Sequence, residues 1–123
     1  MKRILVVDDE RLTADTLGII LRKHGFDAKV SYSVDDALAC ARSFDPQLLL
    51  CDISMPGRDG ISLMQALADE RPTCPVLVLT GYYSNLRSVR EQIARMPQRT
   101  HILTKPCRPE ELLREAGAML AIA

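Results

Sequence analysis

The stretch from Leu48 to Gly60, LLLCDISMPGRDG, constrains the fold of this chain more than any other. A short apolar run ends at Asp52, and Met55, Pro56, Gly57, Arg58, Asp59 and Gly60 then form a turn signal. A brief apolar run bounded by turn residues suits a strand buried on both faces of a parallel sheet. Such a strand leaves its last side chain at the carboxyl edge, where open α/β sheets bind their ligands. Asp52 is then a carboxylate displayed on that rim. The plainer alternative is that it caps a turn, because Asp is a common turn residue.

The rest of the chain repeats the pattern, with strand-like runs alternating with helix-like ones. Ile4 to Val7 predicts a buried strand ending in Asp8 and Asp9. Glu10 to Lys23 predicts a helix with Leu17, Ile20 and Leu21 on one stripe, stopped by Gly25. Ala28 to Tyr32 predicts a more polar strand, suited to a sheet edge. Asp35 to Arg42 predicts a short helix with Ser33 as its N-cap and Pro46 beyond its end. Gln47 to Cys51 is the third strand, and Ile61 to Glu70 the third helix, closed by Pro72. Val76 to Leu79 is the fourth strand, ending in Thr80 and Gly81. Leu86, Val89, Ile93 and Met96 form one helical stripe, which Pro97 stops and which plain core packing explains for the most part. Ile102 and Leu103 predict a short fifth strand, followed by Thr104, Lys105 and Pro106. Glu110 to Ile122 predicts the last helix, with Pro109 and two acidic residues suited to its first turn. Five such βα units imply one parallel sheet with helices on both faces. No linker, repeat or second domain interrupts residues 1–123.

Composition removes several classes of function. The 16 Lys and Arg residues equal the 16 Asp and Glu residues, so no global field recruits nucleic acid or an anionic membrane. The start, MKRILVVDDE, is too short in apolar residues for a signal-peptide core, and no stretch approaches the ~20 apolar residues of a membrane span. Cys40, Cys51, Cys74 and Cys107 are unevenly spaced and lie in no zinc pattern with His24 or His101. They read as reduced thiols of a cytoplasmic protein.

Chemistry gathers where the strands end. The first strand offers Asp8 and Asp9, the third Asp52, the fourth Thr80, and the fifth Lys105. Three carboxylates in one crevice repel one another and should raise each other's pKa. A hard cation such as Mg²⁺ (or Mn²⁺) relieves this through oxygen ligands while keeping several waters. Asp9 and Asp52 are candidate direct ligands, with Asp8 acting through water. Lys105 would neutralise an incoming phosphoryl group, and the Thr80 hydroxyl would donate to it. Phosphoryl transfer depends mainly on positioning and charge neutralisation, and a carboxylate can itself be the nucleophile and form an acyl phosphate. Each residue is weak evidence alone, but together they mark the ends of successive apolar runs.

From ILVVDDE through CDISMPGRDG and VLVLTG to LTKP, the chain resembles the receiver domains of two-component response regulators along essentially its whole length. The resemblance implies a single-domain, flavodoxin-like (βα)5 sandwich with a parallel sheet in the order 2-1-3-4-5. By matching position, Asp52 is implied as phosphoacceptor, with Asp8 and Asp9 as the acidic pair that holds Mg²⁺. The backbone carbonyl of Ser54 is implied as a further ligand. Thr80 matches the hydroxyl residue that swings toward the phosphoryl group. Lys105 matches the family's lysine, and Pro106 the proline after a cis peptide. The implied donor is a histidine kinase or a histidine phosphotransfer protein. The implied output is a downstream protein target met by the face of the fourth helix, fifth strand and fifth helix, which is also a candidate homodimer face. Neither direct nucleic-acid binding nor membrane association is expected.

The family usually places Tyr or Phe as a rotamer switch where this chain has Ile102, and MPQRTH replaces the usual Gly-Ala turn before the fifth strand. Activation is then expected to run through Thr80 and the loop from Gly81 to Asn85, with Tyr82 or Tyr83 as substitute rings. Tyr82, two residues beyond Thr80, either obstructs the water that would hydrolyse an acyl phosphate or points to solvent. Two rival functions are considered. The chain looks less like a haloacid-dehalogenase-type phosphohydrolase, because Ser54 stands where that family has its acid, and no cap segment is present. A receiver fold that only binds protein is disfavoured by the complete set of Asp8, Asp9, Asp52, Thr80 and Lys105.

Overall fold

The computed structural model describes residues 1–53, 60–81, 86–105 and 107–121, with only the backbone at 60, 86, 88 and 89. Strands and helices alternate: β1 (Arg3–Val7), α1 (Arg11–Lys23), β2 (Asp27–Ser31), α2 (Val34–Phe44), β3 (Leu48–Asp52), α3 (Gly60–Glu70), β4 (Val76–Thr80), α4 (Leu86–Ile93), β5 (Thr100–Thr104) and α5 (Pro109–Ala121). The strands form one parallel sheet in the order β2-β1-β3-β4-β5. The more polar β2 lies at an edge, as its composition predicts.

The apolar runs of β1, β3 and β4 are buried because side chains of a strand alternate between two faces and both faces are covered. Leu5, Val7, Leu49, Cys51, Val76 and Val78 pack with Ala37, Ala41 and Phe44 of α2 and with Leu63, Met64 and Leu67 of α3. Ile4, Val6, Leu48, Leu50, Leu77, Leu79 and Leu103 pack instead with Leu21 of α1 and with Leu112, Ala116, Met119 and Leu120 of α5. Helix α1 approaches β2 closely at Gly18, where an added Cβ would lie 2.8 Å from Val30 Cγ2. The stop at Gly25 is a Schellman turn: Gly25 has φ +90°, its N–H donates to Arg22 O, and Phe26 N–H donates to Leu21 O. The Ser33 side chain caps α2 by accepting from Asp36 N–H at 3.1 Å.

Most boundaries differ from the sequence reading by at most one residue, and three differ by more. Helix α2 continues two residues past Arg42, to Phe44 (Val34–Phe44), and ends on Asp45 in the left-handed region at φ 53°. Asp45 is fixed there by Arg3, whose Nε donates to the Asp45 carbonyl at 2.8 Å, and by an ion pair with Arg71. Helix α4 ends at Ile93 rather than running to Pro97. Its exit tightens, with Arg95 N–H donating to Gln92 O and Met96 N–H to Ile93 O, because the residue before a proline avoids the helical region. Strand β5 is longer than Ile102–Leu103, since it pairs along all of β4 from Val76↔Thr100 to Thr80↔Thr104. An edge strand tolerates the polar Thr100 and His101 that periodicity alone rejects. No described helix is long and apolar enough to cross a membrane.

Candidate functional site

The carboxyl rim of the sheet assembles most of the residues named from the sequence. β1 ends at Val7, so Asp8 follows directly and is 1% exposed. Its backbone N–H donates to Ser31 O at 3.2 Å, which ties it to the end of β2. Its Oδ1 accepts from Glu10 N–H at 3.0 Å, and its Oδ2 accepts from Lys105 Nζ at 3.4 Å. Asp52 is the last residue of β3 and is also buried. Its Oδ2 accepts from Lys105 Nζ at 3.1 Å. Asp9 is the open member of the group. Asp8, Asp9 and Asp52 each offer an oxygen, and these atoms lie within 4.8 Å of one another.

Thr80 ends β4 and is buried. It stands opposite Thr104 in the β4–β5 register, and its carbonyl accepts from Lys105 N–H at 2.8 Å. That bond extends the sheet ladder one residue past β5 and fixes where the Lys105 side chain begins. Ile102 lies on the other face of β5 and packs, partly buried, against the α2–α3 side of the core, as do Ile93 and Met96. Ser54, Tyr82, Tyr83, Asn85 and Pro106, and the turn from Met55 to Asp59, lie outside the described residues.

The electrostatics refine the sequence reading. Asp8 titrates above the ordinary carboxylate range, first because burial disfavours its charge and only then because Asp52 repels it; Glu10 N–H and Lys105 pull the other way. Burial, rather than mutual repulsion, dominates. Burial works against the Lys105 ammonium, but its hydrogen bond and charge interaction with Asp52, and then with Asp8, win and raise its pKa.

Sequence reasoning left Tyr32 and Arg11 without a role. The structure sets the Arg11 guanidinium 4.3 Å over the Tyr32 ring, beside the rim. The available signal was position: Tyr32 follows β2 at the same carboxyl edge as the other site residues.

Residues 4–116 match the response regulator receiver domain family, and the chain belongs to it. Receiver domains are the phosphorylation-controlled switch modules of two-component systems. The chain is 33% identical over 119 residues to the DNA-binding response regulator MtrA of Mycobacterium leprae (strain TN), covering 97% of this chain and 51% of that protein. It is 30% identical over 118 residues to the regulatory protein VanR of Enterococcus faecium, covering 96% and 49%. The chain thus spans about half the length of these curated relatives. Among solved structures, the CheY-like receiver domain protein of Methanospirillum hungatei JF-1 is 29% identical with TM-score 0.85, covering 98% of this chain and 94% of that one. The receiver domain of NtrX from Brucella abortus is 28% identical with the same TM-score, covering 98% and 99%.

Proposed function

We propose that residues 1–123 act as one receiver module in which Asp52 accepts a phosphoryl group from a histidine kinase or a histidine phosphotransfer protein. The observation that carries this reading is the reach of Lys105 Nζ to the Asp52 carboxylate at 3.1 Å, inside a ring of acidic oxygens. An Asp52 carboxylate oxygen attacks phosphorus, the donor's P–N bond breaks, and the imidazole leaves with the electron pair. Lys105 holds positive charge beside the nucleophile, and the Thr80 hydroxyl would donate to a phosphoryl oxygen. The residues fit a Mg²⁺ (or Mn²⁺) ion: three carboxylates each offer a hard oxygen, and these oxygens lie within 4.8 Å of one another. Asp9 and Asp52 would hold it directly. Asp8, whose two oxygens are already engaged, would act through water, and the carbonyl of Ser54 would be a further ligand. Bound there, the cation would neutralise charge on the transferring group.

Phosphorylation then shifts the population of a two-state output face built from α4, β5 and α5, which meets a downstream protein or a second copy. The balanced net charge supports a module that contacts proteins rather than nucleic acid, whatever the DNA-binding relatives do with the half of their length outside this match. Four free cysteines are consistent with work in the cytoplasm. The test is incubation with a small phosphodonor and intact-mass measurement. One phosphoryl group should appear on the wild type with Mg²⁺, and none on Asp52→Asn or in chelator. Equal labelling of Asp52→Asn would refute the assignment.

A further inference from the structure

Asp9 sits at the open side of the acidic group and leads, through Glu10, straight into α1. That helix starts without the usual supports. Glu10 occupies the N-cap position, yet its side chain bonds no backbone N–H of the first turn. Its carboxylate instead accepts from the Thr13 hydroxyl at 3.3 Å. The first turn holds no acidic residue and begins with Arg11, whose charge has the wrong sign for the positive end of a helix dipole.

Contacts from the end of β2 supply what the cap does not. Arg11 stacks 4.3 Å over the Tyr32 ring, and the Tyr32 hydroxyl donates to Asp15 Oδ1 at 2.5 Å. Arg11 and Asp15 are four residues apart and so share a helix face. One aromatic side chain therefore grips two successive turns of α1. Tyr32 is itself anchored to the site, because the carbonyl of Ser31, its chain neighbour, accepts from Asp8 N–H at 3.2 Å. Tyr32 bridges the strand end that holds Asp8 and the helix that follows Asp9.

We propose that Tyr32 is a positioning residue for the acidic crevice: through Arg11 and Asp15 it sets the start of α1, and hence the placement of Asp9 relative to Asp8 and Asp52. This inference rests on reading the three carboxylates as a cation site. Its effect belongs to ion binding rather than to stability, since the half-buried ring lies outside both core clusters.

The test titrates Mg²⁺ alone into the full chain by calorimetry, with unfolding midpoints in chelator measured in parallel. Tyr32→Phe keeps the ring under Arg11 and loses the bond to Asp15; Tyr32→Leu loses both. The Mg²⁺ dissociation constant should rise roughly threefold for Tyr32→Phe and roughly tenfold for Tyr32→Leu, at or below the lower end of the effects seen for groups that orient metal ligands. Tyr32→Trp, which restores a ring and an N–H donor, should return toward wild type. Midpoints that fall while every dissociation constant stays at the wild-type value would overturn the proposal and make Tyr32 a packing residue. A wild type that binds no Mg²⁺ overturns the cation reading as well. Normal wild-type binding with unchanged variants overturns this inference alone. Tyr32→Phe, which removes one hydroxyl from a ring outside the core clusters, carries the test should Tyr32→Leu not fold.

Discussion

Lys105 Nζ donates to Asp52 Oδ2 at 3.1 Å across 53 residues of chain, and it stands 3.4 Å from Asp8 Oδ2. A single ammonium thus spans two buried carboxylates from neighbouring strands. Neither carboxylate can shed its charge cost into solvent, so the lysine contributes to folding as well as to chemistry.

Replacing that cation should be costly even without a phosphodonor. Lys105→Met leaves Asp8 and Asp52 buried without their shared partner, and should destabilise the metal-free protein by about 1–3 kcal/mol. Adding Asp52→Asn should recover part of the loss, because one of the two buried charges that Lys105 offsets is then gone. Urea unfolding of the two variants in chelator checks both statements. A double mutant no more stable than the single one would show that the pairing is not what Lys105 contributes.

Asp8 should behave oppositely. A carboxylate whose folded pKa lies above its unfolded value favours the folded state when protonated, so its ionisation opposes folding. Asp8→Asn in chelator should therefore be more stable than wild type near pH 7. The gap should close as pH falls through the raised pKa of Asp8 toward the ordinary 3.8. Saturating Mg²⁺ should narrow or invert the order, since the wild type gains more from binding. Stability curves against pH, with and without Mg²⁺, give the answer.

Ile102 should not act as a switch. Its branched side chain is stiff at χ1 and packs against the same side of the core as Ile93 and Met96. Binding of a beryllium fluoride phosphoryl mimic should move NMR resonances from Thr80 to Met96 while Ile102 keeps one rotamer. A rotamer change at Ile102 with residues 81 to 96 unmoved would contradict this route, because coupling needs a bistable element along it.

Gly18→Ala should destabilise the protein despite alanine being the better helix former by about 1 kcal/mol. The new methyl would meet Val30 Cγ2 at 2.8 Å, and overpacking of this kind costs about 1–3 kcal/mol. A variant as stable as wild type in thermal unfolding would mean that β2 yields at this contact.

Local sequence carries the alternation of strands and helices, the burial of β1 and β3, the edge position of β2, and the polar residue at the carboxyl end of the strands that build the site. These are local matters: an apolar run long enough to be buried on both faces, and the first residue that breaks it, can be read without knowing any partner. The site inherits that legibility, since Asp8, Asp9, Asp52, Thr80 and Lys105 are all strand-end residues. Tertiary structure decided which distant groups meet. Nothing near Asp45 announces that Arg3 and Arg71 hold it in a left-handed turn. Nothing near Gln98 announces that its buried amide donates to Met64 O at 2.7 Å. The extent of β5 was settled in the same way, by pairing along β4. The Tyr32–Asp15 bond likewise joins residues 17 positions apart. Periodicity reports how much surface a segment must bury, whereas a hydrogen bond or ion pair depends on the three-dimensional position of its second member, which only the packed chain supplies.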